Sequence, residues 1–215
     1  MHTFASVTLD RVYLLRHRRE LFDIRVADRS VADELNQPHG PRGAFLLGAH
    51  LGSFEVLKDV GEAHAERIAL VMYPDNARKI NAALRAIAPD AAPEIIQLGQ
   101  TGSMLAVREW LERGGVAGML GDRVLESESA RSPQRCIGFL GQPAWFGDGP
   151  LRMAALMKRR VFFMAGIYLG GNRYDVRFEL LADFAAEGLD AQARDRLIEE
   201  ALARYVATLE SICRA

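Results

Sequence analysis

The stretch Gly43-Ala44-Phe45-Leu46-Leu47-Gly48-Ala49-His50-Leu51-Gly52-Ser53-Phe54-Glu55 decides the fold. It opens with an uncharged, apolar run bounded by Pro41 and Gly52, the pattern of a strand buried on both faces. His50 ends that run. From Ser53, a residue type that caps helices, the apolar positions Phe54, Val56, Leu57 and Val60 recur at helical spacing until Gly61 offers a stop. The local order is therefore strand, histidine-bearing loop, helix.

The same alternation continues downstream. Strands are expected at Ile68 to Tyr73, Glu94 to Leu98 and Val116 to Leu120, with helices at Asn76 to Ile87 and Gly102 to Glu112 between them. Strands separated by helices of about ten residues or more need crossover connections, which predicts an α/β fold with a largely parallel central sheet flanked by helices. Beyond Arg123 the pattern changes: Val124 to Arg135 reads as a polar surface loop, followed by a strand from Cys136 to Leu140 and an apolar helix from Leu151 to Met157. Val161 to Leu169 and Tyr174 to Leu181, joined by Gly170-Gly171-Asn172-Arg173, carry a hairpin signal that makes the sheet mixed. Upstream, Phe4, Val7, Leu9, Val12, Leu14 and Leu15 lie among Arg11, Arg16, Arg18 and Arg19, an amphipathic helix with a basic end. The chain is expected to form a single domain: an N-terminal helical segment over 1–40, an α/β core over 43–181 and a C-terminal helix over 189–213 with Leu197, Ile198, Ala201, Tyr205, Leu209 and Ile212 on its apolar side.

Charge excludes some functions. With 27 Lys and Arg against 28 Asp and Glu, the formal net charge of -1 gives no support to a uniformly basic nucleic-acid binder. The longest stretch free of Asp, Glu, Lys and Arg, Ile95 to Val107, has 13 residues, short of the roughly 20 that a spanning helix needs. Met1 to Asp10 lacks the basic region and apolar core of a secretory signal, so the expected location is cytoplasmic. Cys136 and Cys213 lie far apart with no metal-ligand spacing, and the expectation is that both act as small hydrophobes in a reducing compartment.

The chemistry centres on His50 and Glu55. If Gly52 bends the loop so that Glu55 reaches back, the carboxylate accepts from Nδ1–H and leaves Nε2 as a general base. The same residues also fit a histidine that caps the helix while Glu55 favours the positive helix terminus. Other signals point away from alternative chemistry. Ser53 lacks the G-x-S-x-G context of a nucleophile elbow. The glycines of Gly115 to Gly121 fall within a strand and no helix follows, unlike a dinucleotide loop. His50, Glu55 and His64 lack metal-site spacing, so no metal is expected. Met153, Ala154 and Met157 suit either a flexible apolar channel or, more simply, core packing.

The hexapeptide His50-Leu51-Gly52-Ser53-Phe54-Glu55 resembles the HxxxxD/E motif of the lysophospholipid acyltransferase superfamily, and especially the His-Leu-Gly-Asn-Trp-Glu form of the late (lauroyl/myristoyl) acyltransferases of lipid A biosynthesis. Met72-Tyr73-Pro74-Asp75-Asn76, Gly121-Asp122-Arg123 and Phe139-Leu140-Gly141-Gln142-Pro143-Ala144 are similar to that family's Tyr-Arg-Pro-type loop, strand-end aspartate motif and Phe-Phe-Gly element. The resemblance runs from about Gly43 to Glu179. It implies an acyltransferase in which His50 deprotonates a hydroxyl or amine of a lipid or glycolipid acceptor, with Glu55 supporting it. The acyl donor would be an acyl carrier protein or coenzyme A thioester, with no further cofactor. Gly52, Ser53, Asp122, Arg123 and Gly141 become candidate substrate or oxyanion contacts, and the protein is expected to work peripherally on the inner membrane. The same dyad also suits a thioesterase or lipid hydrolase, and the fold suits a non-catalytic lipid-binding relative.

Overall fold

The computed structural model describes residues 2–36, 43–56, 68–74, 94–123 and 133–215. The expected helix from Asn76 to Ile87, the end of the helix beyond Val56, His64, and most of the polar loop after Arg123 lie outside the described residues.

A seven-stranded sheet organises the molecule. Its strands are β1 (Asp23–Val26), β2 (Ala44–Gly48), β3 (Ile68–Met72), β4 (Glu94–Gln97), β5 (Val116–Leu120), β8 (Arg160–Tyr168) and β9 (Arg173–Asp183), in the spatial order β1-β9-β8-β2-β5-β3-β4. β8, β2, β5, β3 and β4 run parallel, whereas β9 is antiparallel to β8 and β1 parallel to β9. The sheet is thus α/β, mixed and mostly parallel, as the alternation of strands and helices predicts. The short edge strand β1 escapes that reading, because four residues with only Ile24 and Val26 turned inward give little alternation to detect.

β2 holds the middle position, and its burial is complete along its length. Phe45 and Leu47 enter one core cluster with α3 (Ser103–Glu112), α4 (Gly149–Leu156) and α5 (Ala191–Arg214). Ala44 and Leu46 enter the other, against Leu14 of α1 (His2–Leu15) and Val31 of α2 (Arg29–Asn36). Burying such a side chain contributes about 1.5–3 kcal/mol, so a strand buried on both faces pins the whole sheet. α5 starts where the Asp190 carboxylate accepts from Ala193 N–H at 2.7 Å, and it lays Ile198, Ala201, Leu202, Tyr205, Val206, Leu209 and Ile212 on the sheet. Ala154 is fully buried, and Met153 and Met157 are partly buried against the same core.

The strand expected at Cys136 to Leu140 is present as β6 (Gln134–Phe139), and it pairs antiparallel with β7 (Gln142–Gly147) in a hairpin separate from the main sheet. Leu140 and Gly141, both at positive φ (53° and 81°), make its two-residue turn. Neither cysteine is a buried hydrophobe. Cys136 sits on the outer hairpin face opposite Trp145, Cys213 lies in the last turn of α5, and both are exposed and unbridged. No described helix is long and apolar enough to cross a membrane.

The end of β2 is secured from beneath by α5. The Gly48 carbonyl accepts from the Tyr205 hydroxyl at 2.8 Å and from Gly121 N–H at 3.0 Å. Burial first, then the negative charge of Asp122, raises the Tyr205 pKa well above its usual value, so the hydroxyl stays protonated and donates. Tyr205→Phe should destabilise the protein by about 1 kcal/mol, because the carbonyl keeps Gly121 as a partner and only one net bond is lost. Chemical denaturation measures this, and an unchanged midpoint would contradict the brace.

Candidate active site

Parallel pairing carries the sheet's order into its upper rim. β2 and β5 pair in a constant register, Ala44 opposite Val116 through Gly48 opposite Leu120, an offset of 72 positions. His50 and Asp122 each lie just beyond these strand ends and are separated by the same 72 positions, so they emerge side by side. The His50 Nδ1 atom lies 3.0 Å and 3.1 Å from the two Asp122 carboxylate oxygens. A carboxylate only accepts, so Nδ1 carries the proton and Nε2 is left as the basic nitrogen. The imidazole is 44% exposed and the carboxylate 21%, an arrangement open to a substrate yet partly shielded. This is the carboxyl edge of a parallel sheet, beside the strand from which the chain order diverges, where ligand sites of such sheets gather.

The carboxylate partner differs from the one expected. Glu55 does not reach His50: it is 6% exposed, turned inward, and accepts from Arg11 Nε of α1 and from Ser53 Oγ at 3.1 Å. The reason is helical geometry. Phe54 to Val56 already form the first turn of a helix, and a residue in that turn points where the helix axis dictates rather than back over the loop. Arg11 is thereby committed to an ion pair, and Arg18 of the same basic end pairs with Glu20 at 2.5 Å.

The remaining candidates fall into different posts. Ser53 is 2% exposed; its N–H donates to the Gly166 carbonyl at 2.8 Å and its hydroxyl to Glu55, so it fixes the loop. Gly52 has φ +76° and bridges to Gly166 of β8, where an added Cβ would lie 1.8 Å from the Gly166 carbonyl oxygen. Only glycine fits there. Arg123 follows Asp122 and is exposed. Gly141 belongs to the hairpin turn, where its positive φ explains the residue without a ligand contact. Tyr73, of the segment likened to the Tyr-Arg-Pro-type loop, lies just past β3, with Gly99 of the β4 loop within 3.4 Å of its ring for a hypothetical Cβ; Asp75 and Asn76 lie outside the described residues. Among the described residues no group of three or more His, Cys, Asp and Glu side chains is placed to hold a metal ion.

The signal for Asp122 was present in the sequence. Both His50 and Asp122 directly follow apolar strands, and an offset common to two parallel strands brings such residues together.

No family model matches the chain, and no curated protein matches it. Several chains of solved structures are similar. One of them is the 1-acyl-sn-glycerophosphate (LPA) acyltransferase PlsC from Thermotoga maritima, 17% identical, with a TM-score of 0.46 over 93% of this chain and 80% of that one. Likeness at that level assigns no activity, so the chemistry is argued from the rim itself.

The loop geometry makes a direct prediction. Gly52→Ala should cost roughly 2–4 kcal/mol, from an alanine forced to positive φ and from the collision with Gly166. Thermal or denaturant unfolding checks it. A variant as stable as the parent would show that the Gly52–Gly166 approach is not obligatory.

Proposed function

We propose that the protein is an acyltransferase that moves a fatty acyl group from a thioester, carried by an acyl carrier protein or coenzyme A, to a hydroxyl or amine of a lipid or glycolipid acceptor. The observation that carries this reading is the His50–Asp122 pair, with Nδ1 held at 3.0 Å and the opposite nitrogen left basic on a solvent-accessible rim. It is supported by the resemblance of the His50-to-Glu55 hexapeptide to the acyltransferase motif.

In this mechanism the His50 Nε2 takes the proton of the acceptor hydroxyl as its oxygen attacks the thioester carbonyl carbon. The tetrahedral oxyanion collapses with cleavage of the carbon–sulfur bond, and the imidazolium returns its proton to the departing thiolate. Asp122 fixes the productive tautomer and compensates the imidazolium, the role a buried carboxylate plays beside a catalytic histidine. Arg123 is the proposed donor to the oxyanion or to the phosphate of the carrier, for which a planar guanidinium fork is suited. No covalent enzyme intermediate is involved. The dyad assigned here is His50 with Asp122, and Glu55 acts elsewhere.

A lipid acceptor must be collected from a surface, and α1 offers one. Leu9 and Tyr13 are exposed at i and i+4, which sets two apolar groups on one face of α1, and the exposed Arg16 follows just past the helix end. We propose peripheral contact with an anionic inner-membrane surface through this face. Flotation with anionic and neutral vesicles tests it: Leu9→Ser with Tyr13→Ser should weaken binding to anionic vesicles, and equal binding by parent and variant would place the contact elsewhere.

Activity is tested by incubating the protein with radiolabelled acyl-coenzyme A or acyl carrier protein, with and without a lysophospholipid or a glycolipid acceptor. Acylated acceptor is the expected product; release of free fatty acid regardless of acceptor would instead make the protein a thioesterase. His50→Ala should abolish turnover, and Asp122→Asn should lower it about 10²–10⁴-fold. An Asp122→Asn variant with parental turnover would remove the dyad from the mechanism.

A further inference from the structure

The N-terminal helix is joined to the histidine loop by a chain of polar contacts that the chemistry above does not use. On α1, Arg11 Nε donates to one oxygen of Glu55, whose other oxygen accepts from Ser53 Oγ. Ser53 N–H in turn holds the Gly166 carbonyl of β8. Glu55 and Ser53 lie in the segment that begins at His50, so the ion pair ties α1 to the backbone that sets the imidazole's position. Arg11 retains 45% of its side-chain exposure, but Glu55 is buried, and a buried carboxylate stripped of its cation is strongly disfavoured.

Two further contacts fix how α1 sits. The Tyr174 hydroxyl of β9 donates to the Asp10 carboxylate at 2.7 Å, and Leu14 is buried in the cluster that contains Val56, Phe162 and Tyr174. Asp10, Arg11 and Leu14 occupy one side of the helix, each with its own partner. The helix is therefore held in rotation as well as in position, and Arg11 meets Glu55 in one geometry. A guanidinium suits that task, because its planar, directional donors hold a carboxylate where an ammonium supplies only a point charge.

We propose that Arg11 is a positioning residue for the His50 site: through Glu55 and Ser53 it holds the 50–53 loop against β8 in the geometry that lets His50 face Asp122 and a substrate. The kinetic part rests on the acyl-transfer reading, whereas the structural part does not. Loss of the cation leaves the fold in place and loosens the loop. A displacement of about 1 Å at a catalytic group costs on the order of 10²-fold in rate, so the effect belongs in kcat more than in KM.

The test pairs amide hydrogen exchange with steady-state kinetics on three variants. Arg11→Met should speed exchange at the Ser53 and Glu55 amides while leaving the β8–β9 ladder unchanged, and should lower kcat about 10–10²-fold with KM nearly constant. Arg11→Lys should recover part of both losses. Tyr174→Phe releases the Asp10 contact but leaves Leu14 packed and Arg11, Glu55 and Ser53 in place, so it should lower stability and cost kcat far less than Arg11→Met does. Parental kcat in Arg11→Met, or exchange that rises equally throughout the protein, would overturn the proposal. So would equal loss of kcat in Arg11→Met and Tyr174→Phe, since any loosening of α1 would then suffice. Should the parent transfer no acyl group to any acceptor, the acyl-transfer reading fails by itself. Exchange then decides the brace, and unchanged protection at Ser53 and Glu55 in Arg11→Met overturns it.

Discussion

The register between β2 and β5 is the constraint on which the site depends. Backbone hydrogen bonds fix the offset of the two parallel strands along their whole length, so whatever follows each strand end is brought to its neighbour without any attraction of its own. His50 and Asp122 meet for that reason, and their 3.0 Å contact is a consequence of pairing rather than its cause. A slip of one residue would send Phe45 and Leu47 into the cluster that holds Ala44 and Leu46, and the reverse, mismatching both cores. The cost of that slip is lost packing, so the core itself guards the geometry of the His50–Asp122 pair.

The loop that carries the imidazole is held from three directions. Tyr205 of α5 supports the Gly48 carbonyl below, the Gly52–Gly166 approach presses the turn against β8, and Arg11 with Glu55 links it to α1. Each contact uses a different residue property: a phenol kept protonated by burial, a residue without Cβ, and a buried ion pair. The rim is thereby anchored around a histidine whose imidazole stays 44% exposed, which the proposed general-base role requires.

Much of this architecture is written in local pattern. The apolar run from Gly43 to Ala49 announces a strand buried on both faces, the alternation after it announces a parallel sheet, and Gly170-Gly171 announces the hairpin of β8 and β9. The C-terminal helix and five of its seven buried positions follow from their spacing, which misses Leu202 and Val206. The pairing of β2 with β5, which are not consecutive strands, does not follow from any local pattern. For that reason sequence proximity favoured Glu55 as the partner of His50, although the sheet delivers Asp122. The partner of Glu55 lies 44 residues upstream on a helix whose basic residues read equally well as a solvated end. Gly141 shows a second ambiguity: a glycine demanded by a turn carries the same letter as one that approaches a ligand.

The tautomer of His50 tests the central claim most directly. Isotope-edited nitrogen NMR of the neutral imidazole distinguishes a protonated from a bare ring nitrogen without any substrate or assay. The account predicts a proton on Nδ1, shared with Asp122, and a bare Nε2, with Asp122→Asn altering this signature and Glu55→Gln leaving it in place. A parent protein with the proton on Nε2, or a signature that responds to Glu55 and ignores Asp122, would contradict it.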